Sequence, residues 1–105
     1  MRWEIILAPG AVKAFQRLSA RNRSEIRDAL ERHLRFEPTK VSKSRIKRLR
    51  GLSRPQFRLR VGDIRVFYDV TETTVDVLAI IPKAEAQAWL EREGTPAEGG
   101  GSGKG

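Results

Sequence analysis

The sequence predicts an α+β domain in which a helical hairpin packs against a mostly antiparallel four-stranded sheet. Three observations support this prediction. Apolar residues recur every three or four positions between residues 11 and 34, which is typical of amphipathic helices. They alternate with polar residues between positions 56 and 70, which is typical of strands. Residues 75–81 are the most apolar stretch and indicate an interior strand. The predicted order of elements is β-α-α-β-β-β-α.

The N-terminal part of the chain is predicted to form a strand and two helices. The strand spans residues 2–8 and presents alternate apolar side chains on one face (Trp3, Ile5 and Leu7). The first helix covers residues 11–18. The second is predicted to begin at Asn22, because Asn22 and Glu25 have the spacing of a capping box, and to end at Glu37-Pro38. Its apolar stripe includes His33, which is therefore predicted to lie in the core or between the helices.

The C-terminal part is predicted to form three antiparallel strands and a helix. Residues 56–61 and 64–70 alternate on either side of Gly62-Asp63, which is the pattern of a β-hairpin. Residues 75–81 supply the third strand. A helix is predicted over residues 83–92, where apolar residues again recur at helical spacing.

The composition indicates one small cytoplasmic domain with no metal site and no small-molecule cofactor. A chain of 105 residues is long enough for one domain, predicted to span residues 1–93. Residues 94–105 are rich in glycine and are predicted to be a disordered tail. The absence of cysteine excludes a disulfide scaffold and fits a reducing compartment. No apolar run approaches the ~20 residues that cross a membrane, and scattered carboxylates with a single histidine offer no set of metal ligands.

The positive charge is concentrated in residues 40–65, which we call the cationic segment. This segment holds ten of the 21 basic residues and one acid, a net charge of +9, whereas the whole chain carries +8. The remainder of the chain is therefore nearly neutral. Charge clustered in this way indicates a polyanionic partner, and nucleic acid fits better than a membrane surface because the segment is not an amphipathic helix.

Three arginines of the predicted hairpin can share one face of the sheet, depending on the register of the hairpin. Arg58 and Arg60 lie two residues apart on one strand, and Arg65 follows on the return strand. A solvated outer face is one interpretation. Phosphate binding is the other, which we favour because like charges repel across strands and guanidinium groups suit bidentate phosphate contacts. Basic side chains of the preceding loop would add salt-sensitive affinity: Lys43, Arg45, Lys47, Arg48, Arg50 and Arg54.

The same groups could support the cleavage of RNA without a metal ion. In that reaction the 2′-OH attacks the adjacent phosphate, a base takes its proton, and an acid protonates the leaving 5′-oxygen. Arginines would stabilise the negative charge that develops on the phosphate. Lys83, between the last strand and the last helix, and Lys47 are the candidate proton-transfer groups, because lysines among other cations can act as bases or acids.

The segment from Arg48 to Tyr68 resembles the RelE/ParE superfamily of toxins from bacterial toxin–antitoxin pairs. The motifs that carry this resemblance are RLRGL at 48–52 and FRLRVGDIRVFYDV at 57–70. With the order of elements, the resemblance extends over about residues 1–93. The RelE branch implies a ribosome-dependent endoribonuclease, or mRNA interferase, that cuts mRNA in the A site and inhibits translation. It also implies a cognate antitoxin as partner.

The resemblance implies a role for individual arginines. Arg58 and Arg60 match strand positions that bind substrate and assist proton transfer. Arg65 matches the arginine that stabilises the transition state. Arg48 and Arg50 match loop positions that contact RNA.

The C-terminal end departs from the RelE pattern, in which an Arg or His after the last strand is followed by a Tyr or His. Lys83 can replace the first of these residues. Trp89 can stack on a base or belong to the core, but it cannot exchange a proton at neutral pH. Two alternatives therefore stay open: a toxin of the ParE branch, which inhibits DNA gyrase without cutting RNA, and a protein that only binds nucleic acid.

Overall fold

The computed structural model describes residues 1–97 and confirms the α+β fold class. The described residues contain three α-helices and seven strands, and none of the helices is long and apolar enough to span a membrane. A π-helical turn, Leu30–Leu34, extends the second helix. The elements are β1 (Glu4–Leu7), α1 (Pro9–Arg17), α2 (Ala20–Ala29), β2 (Ile46–Arg48), β3 (Leu52–Arg54), β4 (Phe57–Val61), β5 (Ile64–Val70), β6 (Thr74–Pro82), α3 (Lys83–Glu93) and β7 (Thr95–Pro96).

The main sheet has five strands rather than the four predicted, in the order β1-β6-β5-β4-β2. β1 runs parallel to β6, and every other pairing is antiparallel. The additional strand is β2, which lies within the predicted loop. Ile46 is buried opposite Leu59 on β4, and this pairing organises the edge of the sheet. A strand of three residues with one apolar side chain is too short to show the alternation from which strands are predicted.

The helical hairpin covers one face of the main sheet, as predicted, but α2 begins earlier than expected. Ser19 is its N-cap, and the Ser19 hydroxyl accepts a 3.1 Å hydrogen bond from the backbone N–H of Asn22. The predicted capping box at Asn22 is therefore wrong. The core between the hairpin and the sheet consists of apolar residues and one tyrosine: Ala11, Ile26, Ala29, Leu30, Leu34, Ile46, Phe57, Leu59, Val66, Tyr68, Val75, Val77 and Ile80.

The C-terminal helix α3 lies on the opposite face of the main sheet. The Trp89 ring stacks on Phe67 of β5, with ring centroids 5.2 Å apart. After α3, β7 pairs with β3 to form a second, two-stranded sheet. Thr95–Pro96 thus form a strand within the segment that was predicted to be a tail, whereas residues 98–105 of that tail lie outside the described residues.

Tyr68 connects the centre of the sheet to the chain that follows α2. Its side chain is fully buried, and its hydroxyl donates a 2.7 Å hydrogen bond to the carbonyl oxygen of Pro38. The ring stacks on Phe57 with centroids 5.5 Å apart. Burial raises the pKa of the Tyr68 phenol far above its ordinary value, so the hydroxyl stays protonated and can donate.

We expect Tyr68→Phe to lower the free energy of unfolding by about 1–3 kcal/mol, because the buried Pro38 carbonyl would lose its donor. Urea denaturation would measure this difference.

The raised pKa of Tyr68 also predicts that the wild type keeps this stability below about pH 10 and loses it as the pH rises further. Tyr68 is the sole tyrosine, so its phenolate absorbance can be followed directly. Equal unfolding free energies, or phenolate forming near pH 10 in folded protein, would contradict the prediction.

Candidate nucleic-acid interface

The β4–β5 hairpin brings the three predicted arginines together on one face of the main sheet. Arg60 lies directly opposite Arg65, and Arg58 lies opposite Phe67, across a turn at Gly62. Gly62 has a positive φ of 58°, a conformation that glycine adopts without strain. On the edge strand β2, Lys47 lies opposite Arg58 and therefore on the same face. We call this surface the arginine face: Lys47, Arg58, Arg60 and Arg65.

Arg65 is the least exposed member of the arginine face. Only 8% of its surface is accessible, and Nη1 donates hydrogen bonds to the carbonyl oxygens of Gly62 (2.9 Å) and Ile64 (3.1 Å). These bonds hold the guanidinium group against the hairpin turn. They leave Nε and Nη2 of Arg65 without a hydrogen-bond partner among residues 1–97, so the group is held in place and can still bind an acceptor.

Arg58 carries a positive charge that nothing in the described chain compensates. Its side chain is half-buried, and Nε is buried without a hydrogen-bond partner among the residues described. Burial lowers the pKa of Arg58, and repulsion from Arg65 and Arg60 lowers it further. Arginine nevertheless stays cationic near neutral pH. The positive charges of the three guanidinium groups repel one another, and a bound anion would reduce this repulsion.

An aromatic pair borders the arginines. Phe67 follows Arg65 on the same face of β5, and Trp89 from α3 lies parallel to it, with an angle of 3° between the rings. Trp89 is half-buried: it packs on the sheet and remains partly accessible, so stacking on a base stays a prediction. Phe67 was not among the residues predicted from the sequence, although its two-residue spacing from Arg65 was a usable signal.

Lys83 begins α3 beside the turn that holds Arg65. Its backbone N–H donates a 2.8 Å hydrogen bond to the carbonyl oxygen of Asp63, which fixes the start of the helix to the hairpin. The residue is exposed and lines an open cleft with Asp63, Pro82 and Ala84. Lys83 therefore lies at the end of the arginine face nearest to Arg65.

The basic side chains that were predicted to contact RNA from the loop before β4 lie in several different environments. Arg48 lies on the opposite face of the sheet from Arg58, with its guanidinium 5.1 Å from the centre of the Phe57 ring. Arg50 lines a cleft against α3. Lys43 is exposed and precedes β2.

The last arginine of that loop, Arg54, belongs to a small polar network at the start of β4. Arg54 forms a 3.6 Å ion pair with Asp69, and Asp69 accepts a 2.8 Å hydrogen bond from the backbone N–H of Gln56. Burial raises the pKa of Asp69, while the Gln56 hydrogen bond and Arg54 oppose that shift. Asp69 lies opposite Asp76 on β6, so the far end of this face is acidic. The arginine face is therefore confined to the end near the hairpin turn.

Known structures share this fold. A chain of the RelBE2 toxin–antitoxin complex from Mycobacterium tuberculosis is 23% identical with a TM-score of 0.64, covering 78% of this chain and 99% of that one. A chain of the archaeal RelE–RelB complex from Pyrococcus horikoshii OT3 is 25% identical with a TM-score of 0.52, covering 79% and 97%. The YoeB dimer from Staphylococcus aureus is 14% identical with a TM-score of 0.56, covering 77% and 97%.

Two sequence comparisons give different results. A search of curated proteins finds no match, whereas a comparison with protein families identifies one. The family described as the ParE toxin of type II toxin–antitoxin systems, parDE, matches residues 5–87, which include the helical hairpin, the whole arginine face and the first half of α3. The chain therefore belongs to the ParE toxin family of type II toxin–antitoxin systems, within the RelE/ParE superfamily.

Proposed function

We propose that this toxin is a ribosome-dependent endoribonuclease that cuts mRNA in the A site and so inhibits translation. The observation that carries the proposal is the arginine face, where Arg58, Arg60 and Arg65 converge without any acidic partner among the described residues. Such a surface suits a phosphodiester, because guanidinium groups bind phosphate oxygens bidentately. The RelBE2 and RelE–RelB structures, whose chains share this fold, agree with a toxin of the RelE branch.

The reaction would be an attack of the RNA 2′-OH on the adjacent phosphate. The P–O bond to the 5′-oxygen breaks as the new P–O bond forms, which leaves a 2′,3′-cyclic phosphate and a 5′-OH. Arg58 and Arg60 would bind the non-bridging oxygens and assist proton transfer. Arg65, already held against the turn, would stabilise the charge of the phosphorane without having to reorganise during the reaction.

Proton transfer would fall to the lysines that border this surface. Lys83 lies beside the turn that holds Arg65, and Lys47 lies opposite Arg58. One would take the proton of the 2′-OH and the other would give a proton to the leaving 5′-oxygen. Trp89, stacked on Phe67 beside the arginines, would contact a base of the substrate rather than exchange protons.

A second candidate is inhibition of DNA gyrase without RNA cleavage. The family that matches residues 5–87 is described as ParE, and Trp89 occupies the part of α3 where a proton-exchanging side chain would be expected in a nuclease. In that case the arginine face would bind its target without catalysing a reaction. The experiments below distinguish the two functions.

The partner in either case would be a cognate antitoxin. The two RelB-containing structures named above are complexes, so a partner protein is expected for this chain as well. An acidic segment of that partner would complement the cationic segment, whose net charge is +9. Covering Arg58 and Arg60 would both neutralise their repulsion and exclude RNA.

We expect Arg58→Ala and Arg65→Ala each to lower the rate of mRNA cleavage by about 10²-fold or more, because each removes a donor to the phosphorane. Primer extension on a message from expressing cells, with ribosomes present and absent, would measure cleavage. Because Arg65 also binds two turn carbonyls, urea denaturation should accompany that variant. Arg17→Ala, an exposed arginine on the helical side of the sheet, is the matched control and should cleave normally.

Two results would overturn the nuclease assignment. One is unchanged cleavage by both variants while the Arg17→Ala control behaves as wild type. The other is intact messages in cells whose growth is arrested, together with inhibited supercoiling in a gyrase assay, which would establish the ParE-type function instead.

We expect Lys83→Ala to reduce cleavage by a larger factor than it reduces RNA binding, because a proton-transfer group contributes mainly in the transition state. Single-turnover cleavage and equilibrium binding of a non-cleavable RNA with a 2′-deoxy cleavage site would separate the two effects. Arg92→Ala, which changes an exposed cation at the other end of α3, is the control. Equal losses of binding and cleavage would make Lys83 a binding residue only.

A further inference from the structure

A second cationic cleft lies beside the edge strand β2, outside the arginine face. Its volume is about 220 Å³, enough for a phosphate group. The π-helical turn after α2 and the segment leading into β2 form its walls. The lining contains three cations, one acid and the single histidine of the chain: Arg32, His33, Glu37, Lys40, Ser42, Arg45 and Ile46. We call this the histidine cleft.

The cations of the histidine cleft are available to a ligand. Arg32 pairs with Asp28 at 3.5 Å and Lys40 pairs with Glu37 at 3.8 Å, and all four side chains are more than 60% exposed. Ion pairs of this kind are weak and exchange readily with other anions. Arg45 forms no ion pair within the part of the chain that the structure describes.

Two further side chains of the histidine cleft can form hydrogen bonds that no residue among 1–97 provides. The Ser42 hydroxyl accepts hydrogen bonds from the backbone N–H groups of Arg45 (3.0 Å) and Ile46 (3.1 Å). Because its lone pairs are used in this way, its own proton is left to donate. His33 forms no side-chain hydrogen bond among residues 1–97. It is partly buried and lines the cleft, rather than lying in the core or between the helices as predicted. An anion in the cleft would accept from both.

The electrostatic surroundings of His33 favour the same ligand. Burial lowers the pKa of His33, and Arg45 and Arg32 lower it further, while Asp28 opposes them. Lys40 and Glu37 also line the cleft. An anion placed among these groups would offset the repulsion and allow the imidazole to take up a proton.

Arg45 connects the histidine cleft to the arginine face. Its carbonyl oxygen accepts a 2.8 Å hydrogen bond from the backbone N–H of Arg60, and Arg60 lies opposite Arg65. Neighbouring strands are about 4.8 Å apart, so the backbones of Arg45 and Arg65 lie about 10 Å apart across three strands. Because the π-helical turn lies on the helical side of the sheet and the arginine face on the other side, a single-stranded polynucleotide would reach both by passing around the edge of the sheet at Arg45.

We propose that the histidine cleft binds a phosphate group of a single-stranded nucleic acid whose other phosphates lie on the arginine face. The identity of the polyanion rests on the proposed function, whereas the anion site itself rests on the cleft. Protonation of His33 adds a charge to this site, so binding is linked to pH. Affinity increases as the pH falls from the His33 pKa of the complex to the lower His33 pKa of the free protein, by about tenfold in all for each unit that separates the two values.

The titration of His33 by NMR tests this proposal, because its imidazole signals are the sole histidine signals of the chain. Two probes are used with the full chain: inorganic pyrophosphate, and a short single-stranded DNA, which lacks the 2′-OH and cannot be cleaved. Both are expected to raise the His33 pKa. Arg32→Gln should at least halve this effect. Arg21→Gln is the matched control, because Arg21 is also an exposed arginine of the second helix paired with an acid four residues away.

His33→Gln should bind the DNA at pH 7.5 like the wild type but lose the pH dependence of binding. A His33 pKa that neither probe changes would overturn the proposal, even if the Nε–Hε signals of Arg58 and Arg60 shift, a result that would leave the proposed function standing. Pyrophosphate that raises the pKa while the DNA binds nowhere would support the anion site and overturn nucleic acid as its ligand. The proposed function would be decided separately, by the cleavage assay with ribosomes.

Discussion

The register of the β4–β5 hairpin is the constraint on which the rest of the structure depends. β5 is the central strand of the main sheet, and its pairing with β4 places Leu59 and Val66 under the helices. The same pairing places Arg60 opposite Arg65 on the other face. Because side chains alternate with a period of two, a slip of one residue would direct the arginines into the core. The tight turn at Gly62 holds the register, and Arg65 strengthens it by bonding to the turn carbonyls.

This arrangement separates the source of stability from the candidate binding surface. The helical face of the sheet buries the apolar core, which supplies most of the free energy of folding. The opposite face contains like charges that repel each other, with the Nε of Arg58 buried and unpaired among the described residues. A small domain can tolerate such a surface because the cost is local and the core does not depend on it. Binding of an anionic ligand or an acidic partner would be favoured, because it would reduce the repulsion between these charges.

The C-terminal elements complete that surface. α3 packs Trp89 on Phe67 and so forms an aromatic border beside Arg58, while its first residue, Lys83, is tied to the hairpin turn. β7 pairs with β3 and anchors the basic loop that precedes β4. Arg45, which immediately precedes the edge strand β2, extends the row formed by Arg65 and Arg60. The residues of the candidate site are therefore assembled from segments far apart in the chain, with the central hairpin as their common support.

Some features of this protein follow from its sequence alone, because they arise from local periodicity and composition. Alternation in residues 56–70 places Arg58 and Arg60 on one face and allows Arg65 to share it, and helical spacing predicts the N-terminal hairpin and α3. The concentration of charge and the family resemblance are also visible there. These signals predicted the fold class and the centre of the candidate site.

Other features were decided by contacts between segments distant in sequence. The tertiary structure alone makes Ile46–Arg48 an edge strand, turns Arg48 onto Phe57, and joins Arg54 to Asp69. It also brings His33 beside Arg45, which no spacing in the sequence indicates. A short charged strand has no periodicity of its own, and an arginine can face either a phosphate or an aromatic ring. The neighbour that it meets depends on strand pairing and packing, and these exist only once the chain has folded.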